Sequence, residues 1–355
     1  MKFYNHRSQV MLSKSLFILL FVISILFLNG CNLIGKSKKA TPTLLKTEEA
    51  SKQQLIAEIN RFAQVKSMRA KMSLKFEDNS YAELGSKEVF ISADGDLVVQ
   101  RPSNIFLKIS GFGVSVAQMT SNGENFRVAI LYDGGSGKNK KFVKGTTGTD
   151  YSVLKKKIEN SDFNGEDAKF KKNASAFANV RPQHITDAVL VSPIDADKTY
   201  IQSTISQIET DETKDKKSKL RNVVRGYYLF DELAKTADGE LKITRRFWFD
   251  RVGGIRLAKQ QLFDVKGEIE SDIVYGQEGN LAGNTELGLL PMRISVTRPK
   301  DNYTMSLSYD SPESVVIGKP YQSEVFNLQN SWELEEVDLD QKLREAQEKT
   351  GKIQQ

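Results

Sequence analysis

The feature that most constrains this chain is an alternation of period two that returns from residue 68 to residue 309. Met68, Ala70, Met72, Leu74 and Phe76 alternate with Arg69, Lys71, Ser73, Lys75 and Glu77. Tyr303, Met305, Leu307 and Tyr309 alternate with Thr304, Ser306 and Ser308. Successive side chains of a strand point to opposite faces, so such text specifies strands with one apolar and one polar face. Further strand text covers 87–93, 95–101, 104–110, 114–120, 125–131, 140–145, 221–231, 241–250, 255–264, 267–275 and 291–298. Asp94-Gly95, Asn122-Gly123 and Gly134 to Gly137 read as reversals between strands. Connections this short favour an antiparallel meander over a parallel sheet with crossovers.

A sheet with one apolar face must close on itself or be covered. Two segments can serve as covers. Leu55, Ile59, Phe62 and Ala63 fall at i, i+4, i+7 and i+8, which predicts an amphipathic helix over about 47–66. Arg181-Pro182-Gln183-His184-Ile185-Thr186-Asp187-Ala188-Val189-Leu190 reads as a proline-started helical turn. A curved sheet holding such helices in its mouth offers an apolar cavity suited to an acyl chain. Its inward set includes Met72, Leu74, Phe76, Ile105, Leu107, Ile109, Met305 and Leu307, although alternation alone does not separate a cavity wall from a packed core. Residues 150–166 suggest a short helix, Asp211 to Lys219 a solvated loop, and Glu333 to Gln355 a loose helix or a disordered tail.

The amino terminus is of another kind. Lys2, Arg7 and Lys14 precede the apolar run Ser15 to Phe27, and Leu28-Asn29-Gly30-Cys31 follows. A basic start, a short apolar core and small residues before a boundary describe an export signal over 1–30. At about 13 residues the core is short for a helix crossing hydrocarbon, which needs about 20. Leu-Asn-Gly-Cys resembles the lipobox of bacterial lipoproteins. That resemblance implies cleavage before Cys31, a diacylglycerol on its thiol and an acyl chain on the new amino terminus. No other cofactor is expected. Residues 31–46 then read as a lipidated tether. Asn32, in place of an aspartate, implies an outer-membrane anchor facing the periplasm.

The leader also alters the charge argument. The 355 residues carry 51 Lys+Arg against 45 Asp+Glu, a formal charge of +6. Removing the three leader cations leaves +3, which does not argue for nucleic acid. One cysteine excludes an internal disulfide framework and any cysteine-rich zinc module. Of the two histidines only His184 follows the leader, and the chain has no Gly-x-Ser-x-Gly elbow to serve it. Gly134-Gly135-Ser136-Gly137-Lys138 has Tyr132 where a phosphate loop has its first glycine and Asn139 where it has Ser or Thr. Asp94 and Asp96 read as turn formers, not a catalytic pair. Tyr227-Tyr228 and Phe247-Trp248-Phe249 read as core.

Three stretches carry a family resemblance. Asp96-Leu97-Val98-Val99-Gln100-Arg101-Pro102-Ser103-Asn104-Ile105-Phe106 followed by Thr120-Ser121-Asn122-Gly123 resembles the periplasmic lipoprotein carriers and acceptors, LolA and LolB. Phe247-Trp248-Phe249-Asp250-Arg251-Val252-Gly253-Gly254-Ile255-Arg256, continued by Phe263-Asp264-Val265-Lys266-Gly267, resembles a second hairpin of that family. Leu290-Pro291-Met292-Arg293-Ile294 with Phe326 is a third match. The resemblance implies an incomplete antiparallel β-barrel covered by lid helices, in a mainly β (α+β) domain over 47–330. It implies that Arg101 bonds to the lid and governs its opening. It further implies a lipid or acylated lipoprotein as ligand, with a periplasmic carrier protein among the partners. The segment around 145–220 exceeds the lid region of small family members, and 331–355 is a charged tail.

The expectation is a non-enzymatic envelope lipoprotein, anchored through Cys31, that binds lipid or lipoprotein acyl chains on the way to the outer membrane. A scaffold or assembly lipoprotein whose cavity is filled by its own side chains is the alternative. A hydrolase using His184 is a third class.

Overall fold

The computed structural model describes residues 41–78, 88–111, 113–132, 137, 140–151, 154, 181–212, 214–283 and 286–353. The leader, Cys31 and most of the tether lie outside these residues, as do Gly134 to Ser136, Lys138 and most of 150–166. The chain divides into two units, Met1–Leu44 with Ile208–Val224, and Leu45–Gln207 with Arg225–Gln355.

In the smaller unit the described residues hold a short parallel pairing. β1 (Thr43–Leu44) lies against the start of β9 (Asn222–Lys235), with Thr43 opposite Val223 and Leu44 opposite Val224. Arg221 pairs with Glu212 of the expected polar loop at 2.5 Å.

The larger unit starts with α1 (Lys52–Ala63). The helix is shorter than 47–66 for a local reason. Ser51 accepts from the Gln54 N–H while the Gln54 side chain accepts from the Ser51 N–H, a reciprocal cap that fixes the start. Upstream, the Glu48 and Ala50 N–H groups donate instead to the Arg251 carbonyl and the Tyr228 hydroxyl. Leu55, Ile59 and Phe62 form its buried stripe, as their spacing requires.

Two antiparallel meanders follow. The first consists of β2 (Ser67–Asp78), β3 (Glu88–Gln100), β4 (Asn104–Gly111), β5 (Val114–Asn122), β6 (Asn125–Ile130) and β7 (Lys141–Thr146). The second consists of β9, β10 (Leu241–Asp250), β11 (Arg256–Phe263), β12 (Ile269–Gly279), β13 (Leu290–Arg298) and β14 (Tyr303–Tyr309). Antiparallel pairing of β14 with β2, Leu307 opposite Leu74, joins them into one sheet. That sheet is open and does not close into a barrel. α2 (Pro182–Val189) packs over β4, β5 and β13, and α1 over β11. One apolar core joins both helices to the inner faces of the two meanders. The expected mainly β, incomplete antiparallel barrel is observed as one large open sheet with few helices.

Three expectations need correction. Asp94-Gly95 is not a turn, for β3 runs unbroken through it. Gly95 sits between Met72 of β2 and Ile109 of β4. A Cβ there would come within 2.9 Å of Leu74 Cδ1 and 3.0 Å of Met72 Cγ, so the glycine leaves room for two inward side chains. Asp96 is accordingly a mid-strand residue, paired with Arg69 at 3.1 Å. Second, the region 145–220 includes a strand, β8 (Thr199–Thr210), besides α2. Third, of the two readings of the charged tail, helix or disorder, the described residues show the helix, preceded by a strand. β16 (Glu335–Asp338) pairs in parallel with β7, and α3 (Leu339–Ile353) follows, with Ala346 buried, while β15 (Val316–Ile317), before the tail, lies on β2. Lys141 with Glu335 and Lys144 with Glu336 tie β16 along the edge of β7.

Asn122-Gly123 does turn β5 into β6. Gly123 has φ 90°, and the Asn122 side chain accepts from the Glu124 and Asn125 N–H groups.

Candidate functional site

The eight apolar residues marked in the sequence form one continuous floor. Cross-strand pairing sets Met305 beside Phe76 and Leu307 beside Leu74. Through β3, Ala93 continues from Leu74, while Leu97 faces Leu107 and Val99 faces Ile105. None of Met72, Leu74, Phe76, Ile105, Leu107, Ile109, Met305 and Leu307 is more than 4% exposed. Ile185 and Ala188 of α2 belong to the same core.

α2 is only eight residues long, well below the length at which a helix holds itself. Pro182 opens it, since its missing N–H is no loss in a first turn. At the other end the carbonyls that a terminating helix leaves unbonded are taken by side chains. Gln260 of β11 donates Nε2–H to the Asp187 carbonyl at 3.4 Å, and Tyr275 of β12 its hydroxyl to Ala188 at 3.1 Å. Arg101, just past β3, donates Nη2–H to the Val191 carbonyl at 2.7 Å, with Nη1 3.5 Å from that of Leu190. Arg245 of β10 donates Nη1–H and Nη2–H to the Ser192 and Pro193 carbonyls, both at 3.0 Å. Four side chains thus hold the backbone from Asp187 to Pro193.

Arg101 also donates Nε–H to the Val65 carbonyl at 3.0 Å, just beyond α1. Its planar fork therefore bridges the exits of both helices. Burial lowers the pKa of this guanidinium, which nevertheless remains charged at any physiological pH. Arg245 is held in turn by Glu232, which also accepts from Tyr200 and Thr244, each at 2.7 Å. Burial pushes the Glu232 carboxyl up, but the Arg245, Tyr200 and Thr244 contacts together outweigh it and keep it below the ordinary value.

Beneath α2, His184 Nδ1 lies 2.7 Å from the Tyr303 hydroxyl. The histidine belongs to the helix, as expected, and it is buried. Burial, then the charges of Arg298 and Arg181, lower its pKa well below the ordinary value. Arg298 is itself buried, donating to Ser271 at 2.8 Å and pairing with Asp301 and Glu270. Asp187 moves the other way. Burial and the nearby Glu270 raise its carboxyl to about 7, against the opposing pull of Arg298 and Arg245. Gln260 is 2% exposed, and its Oε1 has no hydrogen-bond partner among the described residues.

Sequence reasoning located Arg101 and the floor but missed the other donors. A signal existed for one of them. Arg245 shares the inward parity of Phe247 and Phe249, and Glu232 that of Tyr228 and Phe230, so an ion pair on the apolar face of adjacent strands was readable. Gln260 was not. A bulge between Trp248 and Phe249 shifts the pairing of β10 with β11, so the inward parity of β11 does not follow from simple alternation. Of the aromatic clusters, Tyr228, Phe247 and Phe249 are core as expected, while Trp248 is only half-buried and bonds Gln261 at 2.9 Å.

Among the described residues no group of three or more His, Cys, Asp or Glu side chains could hold a metal ion, and no helix is long and apolar enough to cross a membrane. Comparison with known protein families and with curated protein sequences finds no match. Among solved structures the chain is similar to a LolA superfamily protein from Nitrosomonas europaea, with 10% identity, a TM-score of 0.39, and 79% of this chain and 99% of that one covered. It is similar to a domain named for outer membrane lipoprotein sorting from Vibrio parahaemolyticus, with 8% identity, a TM-score of 0.39, and 77% and 97% covered. It is also similar to a DUF1329 family protein from Desulfovibrio piger, with 10% identity, a TM-score of 0.35, and 79% and 96% covered.

Proposed function

We propose that this chain is a non-enzymatic lipoprotein of the bacterial envelope, anchored through lipid on Cys31. It binds a lipid or the acyl chains of a lipoprotein on the floor beneath α2. Its role is trafficking of that cargo toward the outer membrane. The observation that carries the reading is how α2 is attached. The helix covers an apolar floor that spans β14 and β2 to β4, yet its exit is held by discrete hydrogen bonds from four side chains. In exchange with water such bonds contribute about 0.5–1.5 kcal/mol each from Gln260 and Tyr275 and about 1.5–3 kcal/mol from the charged Arg101 and Arg245, so a competing occupant of the floor that offers oxygens can release them together. An acyl chain would cover the apolar area that the departing helix exposes, at about 25 cal/mol per Å².

One observation favours the scaffold reading instead. With α2 in place, the floor is already covered by the protein's own side chains. Extraction of the chain purified from membranes, followed by mass spectrometry, separates the two readings. Stoichiometric lipid or lipopeptide beyond the anchor supports a carrier. A stable protein with no co-purifying lipid, which also binds no fluorescent fatty acid, supports the scaffold.

A further inference from the structure

The groups that hold the exit of α2 are all donors, and all of them bond to oxygen. Gln260 and Tyr275 donate to two successive carbonyls, and Arg245 to two more a few residues on. When α2 leaves, Gln260 and Tyr275 lose these acceptors and Arg245 loses two of its own while keeping Glu232, all on the same sheet face as the apolar floor. A bare hydrocarbon chain could not replace those bonds, and buried donors left unpaired cost free energy. A second feature points the same way. Gln260 lies beneath the helix, almost wholly buried, with Oε1 unpartnered among the described residues, so it has an acceptor to offer as well as a donor.

We propose that Gln260, Tyr275 and Arg245 form a head-group subsite that α2 occupies with its own carbonyls until an oxygen-rich diacyl lipid replaces it. This deepens the acyl-binding reading and rests on it. The shared chemistry is a ligand with several ester carbonyl or phosphoryl oxygens in a row and an O–H or N–H donor for Gln260 Oε1. A phospholipid supplies that set, as does the acylated end of a lipoprotein, while a free fatty acid has only one carboxylate. The exchange is oxygen for oxygen, so the donors favour the closed and the loaded state alike and disfavour an empty open one.

The test uses the full chain held in amphipol, with three probes: dioleoylphosphatidylglycerol, a diacylated lipopeptide and a fluorescent fatty acid. The variant is Gln260→Leu with Tyr275→Phe. The subsite predicts opposite signs. Loosening the hold on α2 eases entry of the fatty acid, while loss of two donors weakens the two diacyl probes about tenfold. If the phospholipid alone responds, the subsite reads phosphate; if both diacyl probes respond, it reads ester carbonyls. Tighter binding of all three probes by the variant overturns the subsite and leaves these side chains as fasteners only. Absence of binding of any probe to the unaltered chain overturns the acyl-binding reading itself. Should the double variant not fold, Tyr275→Phe removes a single oxygen and carries the same sign test.

Discussion

The two meanders share strand number, pairing and an inward apolar parity, but their inner faces differ. The face of β2 to β5 is almost wholly apolar, from Met72, Leu74 and Phe76 through Leu97 and Val99 to Ile105, Leu107, Ile109 and Met119, with Ser121 its buried polar residue at the end of β5. The face of β9 to β14 is interrupted by Glu232, Arg245, Gln260, Ser271, Arg298 and the hydroxyls of Tyr275 and Tyr303. An apolar face gains by burial against anything of suitable shape and specifies little. Buried donors and charges are costly unless paired, and therefore fix what lies against them. The first meander thus provides adhesion and the second provides register. α2 meets both, resting on β4 and β5 at one side and on β13 at the other, with its exit held from β10, β11 and β12.

This contrast can be broken from either side. The largest effect is expected at the floor. Leu107→Asp places an unpaired carboxylate among hydrocarbon and should cost about 4 kcal/mol or more, read as loss of cooperative unfolding by circular dichroism. Arg245→Met on the second face should cost about 3–5 kcal/mol by leaving Glu232 buried without its cation. Here the double variant with Glu232→Leu should recover most of the loss, whereas no partner change rescues the floor variant. Failure of that rescue would mean that Arg245 acts chiefly on the Ser192 and Pro193 carbonyls. Arg101→Leu should cost about 1–3 kcal/mol and act locally. Hydrogen exchange should rise at 182–193 while β4 keeps its protection, and a uniform rise over both would remove Arg101 from any special role at the lid.

A further effect is one of pH. Asp187, raised to about 7 in the fold, binds a proton that the unfolded chain has already lost between about pH 4 and 7. Its contribution therefore declines as pH rises through that window and is gone above it. Glu270 adds to this effect, while Arg298 and Arg245 oppose it. His184 has the opposite sign. Its pKa is depressed, so stability falls as pH drops below about 6.5, where the unfolded imidazole takes up a proton first. Asp187→Asn should be more stable than the parent at pH 8 and show only the decline on the acid side. Thermal unfolding across pH 5–8 checks both signs.

The first face was more legible than the second. Strict alternation over 68–76 and 303–309 marks floor residues directly, because hydrocarbon burial has the period of the backbone. Arg101 was legible only through the Arg-Pro resemblance, since nothing in its spacing says which carbonyls it meets. Gln260 was hidden by a bulge, and Gly95 misread as a turn because its role is the room it leaves for Met72 and Leu74 of another strand. Tyr275 and Tyr303 read as ordinary core aromatics, because their hydroxyl partners lie far off in sequence, at Ala188 and His184. The strand that precedes the tail helix was missed for a related reason. The charges of Glu335 and Glu336 suggested solvent, and it is the lysines of β7 that pair them.

The central claim is that cargo takes the place of α2 on the floor. Hydrogen exchange with and without a saturating diacyl lipid tests it most directly. The account predicts that lipid removes protection from 182–193 and leaves β2 and β4 protected. Lipid bound at full occupancy with 182–193 as protected as before would contradict it.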